Sequence, residues 1–253
     1  MDMTGECMKR IFWLFVVMLI SPWPSAAAAA AVDIPPLEGL IEPWEIVAYS
    51  SPVPGILEKV HVERGSWVKP GMVIAQLKSG VERAGVELAK ARVDFGKRKL
   101  ERNEKLYTKR LVSMHERDEL ETDIKLAELA LREAEERLDL LIIRSTVKGV
   151  VVERLGAPGE FVGEEPFLTI AQVNPLRVEV IAPAYLFGRI AVGDRAMVQV
   201  EEPVNGEYSA TVVIVDNVMD AGSSTFGVRL KVENREMELP AGMKCRVVFE
   251  AKP

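Results

Sequence analysis

Residues 79–141 constrain the fold more than any other stretch. Apolar residues recur at Leu120, Ile124, Ala127, Leu131, Ala134, Leu138 and Leu141, in alternating steps of four and three. That is a heptad seam, the signature of a helix packed lengthwise against another helix. Upstream, Val81, Ala84, Leu88, Ala91 and Phe95 carry similar spacing and are expected to form the answering seam. Both helices open with a capping box, Ser79-Gly-Val-Glu82 and Ser113-Met-His-Glu116, in which hydroxyl and carboxylate satisfy orphan backbone donors. The connection near Tyr107–Val112 is short, so the helices run antiparallel. Arms of roughly 28 residues are about 40 Å long. A rod of that length projects from a chain of 253 residues rather than being buried in it.

Strand patterns flank the rod. Upstream, Ile46, Ala48, Ile56, Val60 and Val73–Leu77 read as strands punctuated by Pro52, Pro54, Gly55, Gly65 and Pro70-Gly71. Downstream the pattern returns 94 positions later: Gly55 falls on Gly149, Gly65 on Gly159, Val68 on Val162, and Trp67 on Phe161. The last strand slips by one residue. Pro52–Leu77 and Thr146–Ile170 therefore read as two copies of one small β unit. Neither is long enough to bury its own apolar face, so the economical fold pairs them, with the rod inserted between them. From Val173 onward alternation resumes in Leu176–Val180 and Phe226–Val232, with further strands near Arg195–Val200, Ser209–Val215 and Lys244–Phe249. Five or six such strands suit a small barrel. Ala184–Ile190 reads as a short helix capping one end.

The chain starts with Lys9-Arg10, an apolar run Ile11–Ile20, a breaker Ser21-Pro-Trp-Pro-Ser25 and an alanine tract to Ala31. This pattern predicts a cleaved secretory signal over 1–31, with an uncleaved anchor as the alternative. Net charge is −6 and the charged residues concentrate in the rod, which argues against nucleic acid as a partner. No nucleophile motif or phosphate loop appears. His61 and His115 lie far apart without cysteine or carboxylate ligands at metal spacing, so no metal site is expected. Cys245, in a strand, is expected to be buried.

The split β repeat, the inserted hairpin and the barrel together resemble the periplasmic adaptor subunits, or membrane fusion proteins, of Gram-negative efflux and secretion systems. Val53-Pro-Gly-Ile-Leu-Glu-Lys-Val60 with Gly65–Leu77 resembles the first lipoyl half-motif of that family. Ile143–Val151 resembles the start of the second, and Leu239-Pro-Ala-Gly-Met243 the turn before the last barrel strand. The resemblance implies a mainly β fold with an inserted antiparallel coiled-coil hairpin, a split lipoyl-like sandwich and a small barrel. Its expected boundaries are an extended lead 32–46, a sandwich 47–78 and 142–172, a hairpin 79–141 and a barrel 173–253, without a membrane-proximal domain. Members that dock on TolC-like outer-membrane ducts carry R-x3-L-x6-S across the hairpin tip, and Arg102, Leu106 and Ser113 match that spacing.

The resemblance thus implies a non-catalytic connector without cofactor or metal. It would join an inner-membrane transporter, of the RND or ABC class, to an outer-membrane duct, and assemble as a ring of six copies. Two other readings remain at this point. One is a lipoyl or biotinyl carrier modified on Lys78. The other is a free-standing periplasmic coiled-coil protein, for which Arg102, Leu106 and Ser113 are a solvated charge, a coiled-coil end and a helix cap.

Overall fold

A computed structural model describes residues 34–107 and 114–250. The signal expected over 1–31 lies outside the described residues.

Alternating apolar residues build a closed barrel of six antiparallel strands. Its staves, in order around the barrel, are β1 (Leu37–Tyr49), β12 (Lys244–Phe249), β9 (Arg195–Val200), β10 (Gly206–Val215), β11 (Thr225–Val232) and β8 (Leu168–Pro183). Pairing of β8 with β1 closes the ring. Phe226, Val228, Leu230 and Val232 of β11 are all buried, as are Leu176, Val178, Val180 and Ala182 of β8. That is the inward half of a period-two pattern. A turn of 3-10 helix at Ala184–Leu186 closes one end, with Leu186 and Ile190 buried beneath it.

The segment read as an extended lead goes further than that reading. From Leu37 it is a stave, paired first with β12 and then with β8. Its inward residues are Leu37, Gly39 and Ile41, and the middle one has no side chain. A Cβ on Gly39 would lie 2.9 Å from Val178 Cγ1, so the position is glycine because the barrel is narrow there. That gap hides the apolar alternation of the stave.

β1 and β8 are long enough to leave the barrel and enter a second body together. Past a bulge at Pro43/Glu45, residues 45–49 of β1 pair with 168–172 of β8. There they join β6 (Gly149–Arg154) and β3 (Trp67–Val68) in one sheet of a sandwich. The facing sheet is β5 (Ile142–Arg144), β4 (Val73–Leu77), β2 (Gly55–Val60) and β7 (Phe161–Val162), in that order. One core cluster takes Leu57, Val68, Ile74 and Leu77 from the first half of the repeat and Val151, Val162, Phe167 and Ile170 from the second.

The repeat is legible in the hydrogen bonds. Trp67 pairs with Val150 and Val68 with Gly149; Phe161 pairs with Ile56 and Val162 with Gly55. Bulges interrupt β2 at Leu57/Lys59 and β6 at Val151/Glu153. The N–H of Gly65 donates to Val151 O and that of Gly159 to Leu57 O, each at 2.8 Å. Both glycines take positive φ, +87° and +97°. Two buried serines add a pair that sequence reading passed over: Ser51 Oγ donates to Val53 O and Ser145 Oγ to Val147 O. The equivalence extends to the attachments. β8 leads into the barrel as β4 leads into the rod, and β1 arrives from the barrel as β5 returns from the rod.

At the junction of barrel and sandwich, the buried Asn234 amide donates to Val173 O at 3.0 Å and Leu239 O at 2.8 Å, and accepts from the Leu239 N–H. Gly242 N–H then donates to Ile41 O at 2.7 Å. The turn Leu239–Met243 is thereby tied to β1.

A candidate docking site on the helical hairpin

The rod consists of α1 (Gly80–Tyr107) and α2 (Met114–Asp139). They pack chiefly on each other, and α2 also touches β5 at its foot. Along α2 the expected seam is the inner face: Leu120 and Ile124 are buried, and Ala127, Leu131, Ala134 and Leu138 are half-buried.

Along α1 the expected seam is wrong. Val81, Leu88 and Phe95 are 82%, 57% and 57% exposed. The inward residues are Glu82, Val86, Ala89, Val93, Gly96, Leu100 and Asn103, again in steps of four and three. The reason is steric. Opposite Ile124 of α2, α1 must bring a residue without a side chain. A Cβ on Gly96 would come within 2.9 Å of Ile124 Cγ1. Reading the bulkiest residues as the buried ones chose the neighbouring stripe.

The hairpin therefore has unlike flanks. On one flank Lys97 Nζ meets Glu128 Oε1 at 2.8 Å across the two helices. The hydrogen bond to Glu128, reinforced by its charge, holds the Lys97 ammonium above its ordinary pKa; the same bond holds the Glu128 carboxyl below its own. Phe95 lies about 160° around α1 from Lys97, so the exposed stripe occupies the other side. Counting by sevens, Val81, Leu88 and Phe95 lead to Arg102, which is also exposed. The heptad count that misplaced the α1 seam thus runs directly to a residue of the tip motif.

Of the tip motif, Arg102 and Leu106 stand one helical turn apart in the last turns of α1. Ser113 lies outside the described residues. A guanidinium displayed at the end of a stiff rod can form bidentate bonds to carboxylates or carbonyls on a partner.

Other candidates sit apart from this site. Lys78 follows β4, its side chain exposed and its N–H donating to Ile56 O at 2.8 Å. His61, just after β2, and His115, in the first turn of α2, are both exposed. Among the described residues no group of three or more His, Cys, Asp or Glu is placed to hold a metal. Burial pushes the Cys245 thiol up to about 11.

Residues 45–172 match the family described as the CzcB-like, barrel-sandwich hybrid domain. The chain belongs to that family. Its fold agrees with that of solved membrane fusion proteins. A chimera of MacA bearing the α-hairpin of Pseudomonas aeruginosa MexA superposes with a TM-score of 0.73 at 20% identity, over 86% of this chain and 81% of that one. A membrane fusion protein from Streptococcus pneumoniae gives a TM-score of 0.68 at 17% identity, over 86% and 99%. An uncharacterized Haemophilus influenzae protein is 22% identical over 235 residues, covering 88% of this chain. The chain spans 61% of the length of that Haemophilus relative.

Proposed function

We propose that this adaptor is a non-catalytic connector in an export system of the bacterial envelope. It is delivered to the periplasm by the segment 1–31. Its barrel and sandwich serve an inner-membrane transporter, of the RND or ABC class, and its hairpin reaches a TolC-like outer-membrane duct. One rod cannot enclose a channel, so several copies, six by family resemblance, assemble as a ring. Energy for transport comes from the transporter.

The observation that carries this reading is the hairpin. It is a self-sufficient two-helix rod, with Arg102 displayed at its far end and a rigid base built from both sides of the insertion. Arg102, Leu106 and Ser113 are assigned to duct contact as the tip motif, Arg102 by charge-assisted hydrogen bonds and Leu106 by an apolar knob. The test is the double substitution Arg102→Glu with Leu106→Asp in cells that depend on the system. Helix content and melting temperature are expected to stay as in the parent, while export and cross-linking to the duct are lost. Unchanged export by a folded double variant refutes the assignment.

A further inference from the structure

The segment between the last two barrel strands meets the sandwich across a cleft. Trp67 of β3 and Val150 and Val152 of β6 line it from the sandwich; Met237, Pro240 and Ala241 line it from the barrel. The cleft holds about 480 Å³, the size of a small-molecule site rather than of a docked helix about 10 Å across. Its walls are fixed in advance. Trp67 is paired to Val150, and the turn Leu239–Met243 is tied to β1 through Gly242. Such a site loses little order when it is filled.

The lining says what chemistry fits. Among the described residues that line the cleft none is ionisable. Asn234 is the one side-chain amide there, and both its hydrogens and its carbonyl oxygen are spent on Val173 and Leu239. What remains is apolar area, a half-exposed indole and a thioether. A charged ligand would lose its water there without gaining a partner. A flat, neutral ring system gains a face to stack on.

The backbone gives an independent sign. Met237 takes a φ of +59°, in the left-handed region that a Cβ disfavours, most of all on a bulky residue. Glycine would hold the same turn without strain. Strain of this kind gathers at ligand clamps, and a thioether adapts its shape to a ring laid against it. The repeat adds an internal control. Phe161 stands where Trp67 does in the other half, but the hollow beside it is shared with Glu160, Glu164 and Glu165. Of the two equivalent positions, Trp67 alone faces a neutral cleft.

We propose that the cleft between Trp67 and Met237 binds a neutral, planar aromatic molecule of about two or three rings, stacked on the indole and covered by the thioether. This goes beyond the connector reading and needs neither duct nor transporter. The test uses the full chain with Trp13→Phe, Trp23→Phe and Trp44→Phe, which leaves Trp67 as its tryptophan. N-phenyl-1-naphthylamine, a neutral probe that accepts energy from tryptophan, is titrated in. It is expected to quench Trp67 emission saturably, at one site per chain. The same scaffold bearing a sulfonate, 8-anilinonaphthalene-1-sulfonate, is expected to bind about ten-fold more weakly. Met237→Gly is expected to keep or raise the melting temperature by removing strain, and to weaken the neutral probe about five-fold. Phe161→Ala is expected to leave the affinity as it is. Absence of saturable quenching overturns the proposal. Unchanged affinity in the Met237→Gly variant, or sulfonate binding as tight as that of the neutral probe, overturns it as well and assigns the probe to another surface.

Discussion

In the sandwich, large side chains from both halves of the repeat meet in the middle; in the hairpin, one helix makes room at Gly96 for Ile124 of the other. Leu57 and Val151 stand at equivalent positions and are both buried, as are Val68 and Val162. Across the hairpin, Ile124 of α2 faces Gly96 of α1, with no room for a Cβ between them. Each arrangement fills its space, but only the first announces itself by bulk. The comparison teaches that burial follows the room available between backbones, and that hydrophobic size is a proxy which fails where two backbones come close.

The strongest way to break the likeness of the two halves is at their paired glycines. A Cβ on Gly149 would run into the carbonyl oxygen of Ala171, a backbone atom that cannot step aside. A Cβ on Gly55 would meet Leu77 Cδ2 at 2.6 Å, the movable end of a side chain. Gly149→Ala is expected to cost about 3 kcal/mol and Gly55→Ala about 1 kcal/mol, read by urea denaturation of the two variants. Equal losses would mean that the two halves meet their neighbours alike after all.

The hairpin offers the next largest effect, and it separates the two seams proposed for α1. Gly96→Leu places a large side chain against Ile124 and is expected to cost about 2 kcal/mol and to reduce helix content. Phe95→Ser, one residue away, is expected to change stability by less than about 0.5 kcal/mol, because its ring is already exposed. If Phe95→Ser proves the more damaging variant, Phe95 rather than Gly96 is the inward residue.

These cases show where the fold was readable. The repeat was legible because glycine and β-branched residues recur at a fixed offset, and backbone geometry forces the glycines. The hairpin was legible on α2, whose seam is all leucine, isoleucine and alanine. It was misread on α1, where Ala89 and Gly96 interrupt an inner face shared with Val86, Val93 and Leu100, and no hydrophobic pattern marks a missing side chain. The first barrel stave was hidden in the same way by Gly39. At the candidate site, Arg102 was found by family spacing. Its alignment with Val81, Leu88 and Phe95 becomes meaningful only once those residues are known to face outward. The cleft at Trp67 lay beyond sequence reading altogether, because it depends on where the segment carrying Met237 and Pro240 meets the sandwich.

Gly65 and Gly159 probe the likeness of the halves where steric contact plays no part. Nothing lies within 4 Å of a Cβ at either position, yet both have positive φ. Replacing either with alanine is expected to cost about 1 kcal/mol from backbone strain alone, and the two losses should match within error. A mismatch would locate a difference in the turns that their shared hydrogen bonds do not reveal.

The smallest effect belongs to the Lys97–Glu128 pair, and its direction is the informative part. The Glu128 carboxyl is held below its ordinary pKa, so its contribution is present above the unfolded value and is lost as pH falls through the lowered one. The Lys97 ammonium is held above its ordinary pKa, so its contribution is present below the unfolded value and is lost as pH rises through the raised one. The pair therefore acts across the neutral range and fades at both extremes. Lys97→Ala is expected to lower the melting temperature slightly at neutral pH and low salt. The difference from the parent should vanish in about 1 M salt, where the Debye length is about 3 Å. Since the pair lies on the flank opposite Phe95, the same variant should leave any contact made through the exposed stripe intact. A Lys97→Ala loss that survives high salt would mean that the lysine stem packs across the seam, and that the charged flank shares in holding the helices together.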